Sequence, residues 1–353
     1  MKDLAELALD TSDVAAITGK AIADAILEVA RQQNVFAQLF KENRDLIGEG
    51  KPRQISFPTK GTGISVEWDV SAGASVSPSS FAYSAVTISV KKQGIQLQFT
   101  NEALEQALRD VIEDHIYEAG LEYAEAADKA AQTIMLDLKT ETLSITGGSL
   151  GTLSNTPVIK IDSVSGGTIK SVEYDTGVVT LTGSVSAATV VAVYSNRLKT
   201  TGMWVSASTA GSLSPRDIMR ARAKLIGKYR NPNVVIINPV DLATLFFDTN
   251  AKLVDASVYG GREPLLNGEL GKLFGMKVLM STGAPEGVAI LVDTNRLGYD
   301  VIRRDLKGIR KEKPSVDSVF YYFWGERNFG VTDDYAVGAV INAASSDSTY
   351  PSA

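Results

Sequence analysis

The 353-residue sequence has no cysteine and one histidine, His115. The first absence excludes disulfide frameworks, thiolate zinc sites and cysteine nucleophiles. The second rules out any two-histidine metal site, whether a facial triad or an HExxH zinc site. A Ser-His-Asp triad would have only His115 to use. No cofactor, metal centre or enzymatic activity is therefore expected. Long apolar runs are missing too, and nothing approaches the roughly 18–20 residues that span a membrane. The opening MKDLAELALDTSD is acidic, with neither a basic start nor an apolar core, so it does not read as a secretory signal. Positive charge is in deficit, with 35 Lys+Arg against 41 Asp+Glu for a net −6. That excludes nucleic-acid binding driven by overall charge and leaves room for a local basic patch.

What is present is ample core material, 44% apolar with 22% charged residues, enough for two domains or one domain with a large insertion. Residues 1–50 read as a short helical arm, with Thr11, Ser12 and Asp13 as capping side chains and Val14, Ile17, Ile22, Ile26 and Val29 near helical spacing. From Ile55 to Phe99 the period becomes two: Ile64, Val66, Trp68 and Val70, then Val86, Ile88 and Val90, then Ile95, Leu97 and Phe99. The small polar stretch DVSAGASVSPSSFAYSA between the arms suits a loop tip, so the pattern predicts a long two-armed ribbon. An isolated ribbon is marginal in water and needs a surface to lie on.

A helix is predicted from about Asn101 to Leu138, on the order of 50 Å long at 1.5 Å per residue. Its stripe is Leu104, Leu108, Ile112, Ile116, Ala119, Tyr123, Ala127, Ala130 and Ile134, narrow and alanine-rich. Residues 141–205 shift to Gly, Ser, Thr and Val and predict a small all-β insertion, sandwich-like, of short strands joined at Asp175-Thr176-Gly177 and at Gly183. Mixed α/β follows: a helix opened by Ser214-Pro215 and ending near Gly227, a buried strand from Val234 to Ile237, and a short helix from Asp241 to Phe247. Strands MKVLMS and EGVAILVD come next, then two or three aromatic strands in SVFYYFWGERNFGVTDDYAVGAVINA and a frayed tail.

Each chemical candidate has a plain structural reading. His115, between Val111 and Ala119 on the helix, reads as a packed or interfacial imidazole. Gly61-Thr62-Gly63, Gly147-Gly148 and Gly260-Gly261 lack the spacing of a phosphate-binding loop and serve turns. Glu113, Asp114, Glu118, Glu122 and Glu125 form a solvated helix face, and Asp333-Asp334 a turn. The run VIRRDLKGIRKEK, with Arg303, Arg304, Lys307, Arg310, Lys311 and Lys313, is the one local patch suited to phosphates, with subunit contacts or a solvated face as its plain reading; aromatic interleaving is missing from it. What remains is architecture: extended elements that cannot satisfy themselves imply neighbours of the same kind.

The order of parts resembles the major capsid protein of tailed viruses, the HK97-like fold. The likeness is carried by ARAKLIGKYRNPNVVIINPVDLATLF, with Asn238-Pro239 before Asp241-Leu242, by GKLFGMKVLMSTGAPEGVAILVDTNRLGYDVIRRD, with its Gly283/Pro285/Gly287 turn, and by FGVTDDYAVGAVINA. It covers most of the chain outside the insertion. It implies an α+β fold with an N-terminal arm (1–52), an extended E-loop hairpin (53–99), a spine helix of the P-domain (100–140), the all-β insertion (141–205), a mainly A-domain segment (206–300) and P-domain strands with the C-terminus (301–353).

By the same resemblance the chain forms hexamers and pentamers of itself in an icosahedral shell. The shell packages double-stranded DNA by weak non-specific contact, with scaffolding, portal and cement proteins as further partners and no membrane. It assembles in the host cytoplasm and ends in the virion. Lys60, Val66, Trp68 and Phe81 are the candidate subunit-interface residues, and Arg303, Arg304, Lys307, Arg310 and Lys311 the candidate lumen- or DNA-facing run. Some members cross-link through a ribbon lysine; Lys60 has that place, with no partner or catalytic acid identified. No long scaffolding segment is expected ahead of the arm, so the resemblance implies a scaffold that is a separate protein or one already removed. Two alternatives stay open: an encapsulin-type compartment shell enclosing protein cargo, and, more remote, an α/β enzyme or sugar-binding protein with an appended β-domain.

Overall fold

The computed structural model describes residues 23, 25–27, 34–47, 51–59, 84–100, 111–209, 211–247, 272–313 and 318–341. Its first strands are β1 (Lys41–Asn43), β2 (Gln54–Thr59), β3 (Ser84–Ser89) and β4 (Lys91–Thr100), followed by helix α1 (Val111–Leu136). Then come β5 (Leu138–Thr152), β6 (Val158–Ser165), β7 (Ile169–Glu173), β8 (Val178–Ser195), α2 (Asn196–Thr201) and β9 (Trp204–Ser206). After these lie α3 (Pro215–Ile226), β10 (Val234–Ile237), α4 (Pro239–Phe247), β11 (Lys272–Leu273), β12 (Met276–Met280) and β13 (Ala289–Val292). The hairpin strands β14 (Gly298–Lys313) and β15 (Ser318–Val331), then β16 (Val337–Ile341), complete the set. The described residues fall into two compact units, one from 1–27, 42–116 and 298–333, the other from 28–41, 117–297 and 334–353.

In the first unit the long hairpin β14–β15 lies at the centre of a sheet ordered β1-β14-β15-β4. The expected ribbon is present as β2 paired antiparallel with β3, Gln54 opposite Ser89 and Thr59 opposite Ser84. The expected arm Ile64, Val66, Trp68 and Val70 lies outside the described residues. Residues 91–100, read from the sequence as the ribbon's return arm, leave it as β4 and pair with β15. There Ile95, Leu97 and Phe99 stand directly opposite Phe323, Tyr321 and Val319. Phe99 meets Tyr321 edge-on at 5.8 Å, and both are buried.

The second unit is organised by a mixed sheet ordered β11-β12-β10-β13-β16-β9. Strands β10, β13 and β16 (VVII, AILV, VGAVI) are buried at every position, as continuous apolar runs require. Helix α3 forms where the sequence predicts. Ser214 at its N-cap accepts from the Asp217 N–H, Pro215 occupies the first turn, and Gly227 is the C-cap. Its Ile218, Ala221 and Leu225 enter the core with Val235, Ile237, Ala289, Leu291 and Val340. Gly338 keeps β16 clear of the helix, since a Cβ there would fall 2.9 Å from Leu225 Cδ1.

Two expectations in this unit need correction. Of the expected stripe of α1, Ala119 and Ala127 are buried and Ile116, Tyr123 and Ile134 half-buried, while Ala130 is exposed and Ala124, Ala131 and Met135 are buried beside it. Spacing placed the stripe but missed at Ala130, because alanines lie on both sides of it. The insertion is not a sandwich of short strands but one hydrogen-bonded sheet whose main strands, β5 and β8, are 15 and 18 residues long. Gly183, expected at a turn, lies inside β8 at φ +83°. The residues before it pair with β7, and those after it with β6. A register shift between Gly148 and Leu150 interrupts β5. Val179 and Leu181 from before Gly183 share one core with Ala188 and Val190 from after it. A bent single sheet thus encloses what two sheets would.

The insertion begins and ends at one point. Leu138 pairs with Ser195, the Asn196 amide donates to the Asp137 carboxylate at 2.7 Å, and Ser195 Oγ donates to the Leu136 carbonyl at 2.5 Å. Arg197 closes the C-terminal end of α1 by donating to the carbonyls of Met135 (2.8 Å) and Ile134 (3.2 Å), a cation placed where the helix dipole favours one.

Candidate assembly surface

The exposed side of the β14–β15–β4 sheet is built by strand alternation and register. Lys307, Ile309 and Lys311 stand opposite Trp324, Tyr322 and Phe320, which in turn oppose Gly94, Gln96 and Gln98. Directly opposed residues share a face. This face carries two large apolar side chains open to solvent, Ile309 at 51% and Trp324 at 39% exposure. The Trp324 ring lies across Gly94, where a Cβ would come within 2.4 Å of it, and Lys92 Nζ sits 4.0 Å from its centroid. The basic run therefore does have aromatic neighbours. They come from the other arm of the hairpin, through a register that the run alone does not display.

Alternation also separates the run. Lys307 and Lys311 are exposed on the face just described, Arg304 is exposed beside a register shift, and Arg310 stands opposite Tyr321 on the other side. Arg303 is turned inward. Its guanidinium pairs with Glu326, a buried carboxylate that also lies 3.8 Å from Arg53. The Arg303 hydrogen bond, with desolvation opposing it, holds the Glu326 carboxyl below its ordinary range. Next to this pair Arg327 grips Asp300 with two nitrogens, at 3.0 and 2.8 Å. Burial nevertheless pushes the Asp300 carboxyl above its ordinary value.

These ion pairs surround the root of the ribbon. The Asn328 amide donates to the Ser89 carbonyl at 2.7 Å, and Phe57 stacks on Tyr299 at 4.2 Å between centroids. Ile88 is buried with Leu46 and Val301. Lys60, Val66, Trp68 and Phe81, the expected interface residues of the ribbon, lie outside the described residues. His115, expected to be packed or interfacial, is exposed, with its ring edge-on to Phe99 at 5.3 Å.

In the second unit the NPVD and GAPEG stretches are joined. The Asn238 amide donates to the Ala284 carbonyl at 2.8 Å, and the Gly287 N–H donates to the Asp241 carboxylate at 2.7 Å. Burial raises the Asp241 carboxyl to about 6, against the Gly287 hydrogen bond and with a smaller push from Glu286. Asp217 goes the other way. Burial works to raise it, but the donors Ser208, Ser214 and Arg220 overcome this and hold it below its ordinary value. Among the described residues no cluster of three or more His, Cys, Asp or Glu side chains is placed to hold a metal ion. No described helix is long and apolar enough to cross a membrane.

No protein-family model and no curated protein matches the sequence. Solved structures do match. One is the asymmetric unit of the bacteriophage PhiM1 mature capsid, at TM-score 0.52 and 10% identity over 88% of this chain and 87% of that one. Another is the capsid of the cyanophage P-SCSP1u, at 0.54 and 13% over 88% and 89%. A chain from Mycobacterium phage Che8 aligns at 0.53 and 14% over 89% and 93%. The fold is HK97-like. At this identity the likeness lies in the order and pairing of elements, not in shared side chains, so the surfaces above must be argued from this chain's own residues.

Proposed function

We propose that this chain is the structural major capsid protein of a tailed double-stranded DNA virus and assembles with copies of itself into an icosahedral shell. One observation carries the reading: a single arrangement of elements runs through 88% of this chain and 87% and 89% of two phage capsid chains. A fold shared over most of both chains supports a shared architectural role. The ribbon and N-terminal arm reach across neighbouring copies and bury apolar surface that neither buries alone. Val66, Trp68 and Phe81 are the anchors, with Lys60 beside them. Arg304, Lys307 and Lys311 make weak, salt-sensitive contacts with phosphates of the packaged DNA. Hexamers and pentamers form in the host cytoplasm, with scaffolding, portal and cement proteins as partners, and the shell ends in the virion.

The test is the content of particles recovered from expressing cells. Nuclease-protected nucleic acid is expected; a defined protein cargo with no nucleic acid would point instead to a compartment shell. Trp68→Ala is expected to leave the melting temperature of the unassembled chain unchanged while particle yield falls. An unfolded Trp68→Ala chain would refute its interface role.

A further inference from the structure

The root of the ribbon is held by more contacts than its pairing needs. Glu326, buried on β15, takes Arg303 from β14 and Arg53 from the edge of β2. Arg303 also donates to the Lys51 carbonyl at 3.3 Å, so its guanidinium bridges the sheet and the segment entering the ribbon. The Arg303 Nε is buried without a hydrogen-bond partner among the described residues, which leaves Glu326 as the counter-charge of a half-desolvated cation. Two residues along β15, Asn328 takes the Ser89 carbonyl of the returning arm at 2.7 Å. Two further on, Gly330 leaves a notch that Ile88 fills: a Cβ at position 330 would fall 2.2 Å from Ile88 Cδ1. Residues 326, 328 and 330 thus form a row on one strand, the first gripping the entering arm and the other two the returning arm, through the Ser89 carbonyl and the Ile88 side chain.

We propose that Glu326 and Gly330 are positioning residues of a clamp that fixes the direction in which the ribbon leaves the β14–β15 sheet. The clamp rests on the capsid reading only for its consequence, that a ribbon aimed wrongly misses the neighbouring copy. Its existence is a property of the single chain.

The absence of cysteine makes a direct test clean. Ala85→Cys on β3 and Gln96→Cys on β4, both exposed positions, accept a pair of spin labels with no competing thiol. Electron–electron resonance on the unassembled chain then reads the distance distribution between ribbon and sheet. Glu326→Gln, which keeps the shape and removes the charge, is expected to widen that distribution about two-fold. Chymotryptic cleavage at Trp68 and Phe81 should accelerate about ten-fold, the size expected when a charge-assisted hydrogen bond is lost. The thermal midpoint of the second unit should not move. Gly330→Ala is expected to do the same by expelling Ile88, and Gly330→Ala with Ile88→Ala to restore the narrow distribution. Unchanged widths in both single variants would overturn the clamp, as would widening that appears only with global unfolding or that Ile88→Ala fails to reverse. A parent chain with a narrow distribution that never assembles would count against the capsid reading and leave the clamp standing.

Discussion

In the six-stranded sheet, β10, β13 and β16 are buried at every position, and their core is closed by residues of the same unit. In the hairpin sheet, β4 alternates exposed residues with half-buried ones and the buried Phe99, and Trp324 and Ile309 are exposed on the side where Phe320 is buried. A sheet buried on both faces draws its stability from within and tolerates little change. A sheet with one open face of aromatic and cationic side chains carries a cost in solvation that partners can relieve. The first region closes its core within its own unit; the second leaves Trp324 and Ile309 exposed to solvent.

Substitutions in the two regions should therefore separate folding from association. The largest expected effect is Ile236→Asp, which buries an unpaired carboxylate at the centre of β10; the second unit should fail to unfold cooperatively in a thermal melt. Leu225→Ala opens a cavity beneath Gly338 and should cost about 2–4 kcal/mol by denaturant titration. Asp217→Ala strips Ser208, Ser214 and Arg220 of their acceptor and should cost about 2–3 kcal/mol.

Asp241→Asn should act in the opposite sense and depend on pH. The folded-state value of about 6 lies above the reference 3.8, so the native state holds the proton more tightly. That contribution is complete below pH 3.8 and is lost as pH rises through about 6. Asn keeps an acceptor for Gly287 and carries no charge. Stability at pH 7–8 should rise by about 1–2 kcal/mol, and the decline across pH 4–6 should flatten. The smallest expected effect on folding is Trp324→Ala on the open face, within about 0.5–1 kcal/mol, while association of the chain should fall. A Trp324 variant that unfolds the chain would erase the distinction between the two regions.

The same contrast explains what could be read in the residue order. Helix α3 was legible because its ends carry their own chemistry, Ser214 and Pro215 at one and Gly227 at the other. The strand Val234–Ile237 was legible because only burial on both faces suits four consecutive β-branched residues. The Asn238-Pro239 and Gly283/Pro285/Gly287 stretches were visible as patterns. That one ties down the other, through Ala284 and Gly287, depends on a fold-back of some 46 positions.

Register was the missing quantity elsewhere. Nothing in VIRRDLKGIRKEK says that Lys307 will face Trp324, or that Arg303 will be spent on Glu326. The segment KPSVDS between the two strands, with its proline and aspartate, was the available hint of a hairpin whose pairing supplies both facts. The edge of the α1 stripe was misplaced at Ala130 for another reason, since alanine at 124, 127, 130 and 131 satisfies more than one helical face.

The most direct test of the account is the mass and shape of the purified chain, by light scattering and electron microscopy across protein and salt concentrations. The account predicts association into closed shells, tubes or capsomer-sized rings. A monomer that persists at every concentration, with crowding agents and with scaffolding protein added, would contradict it.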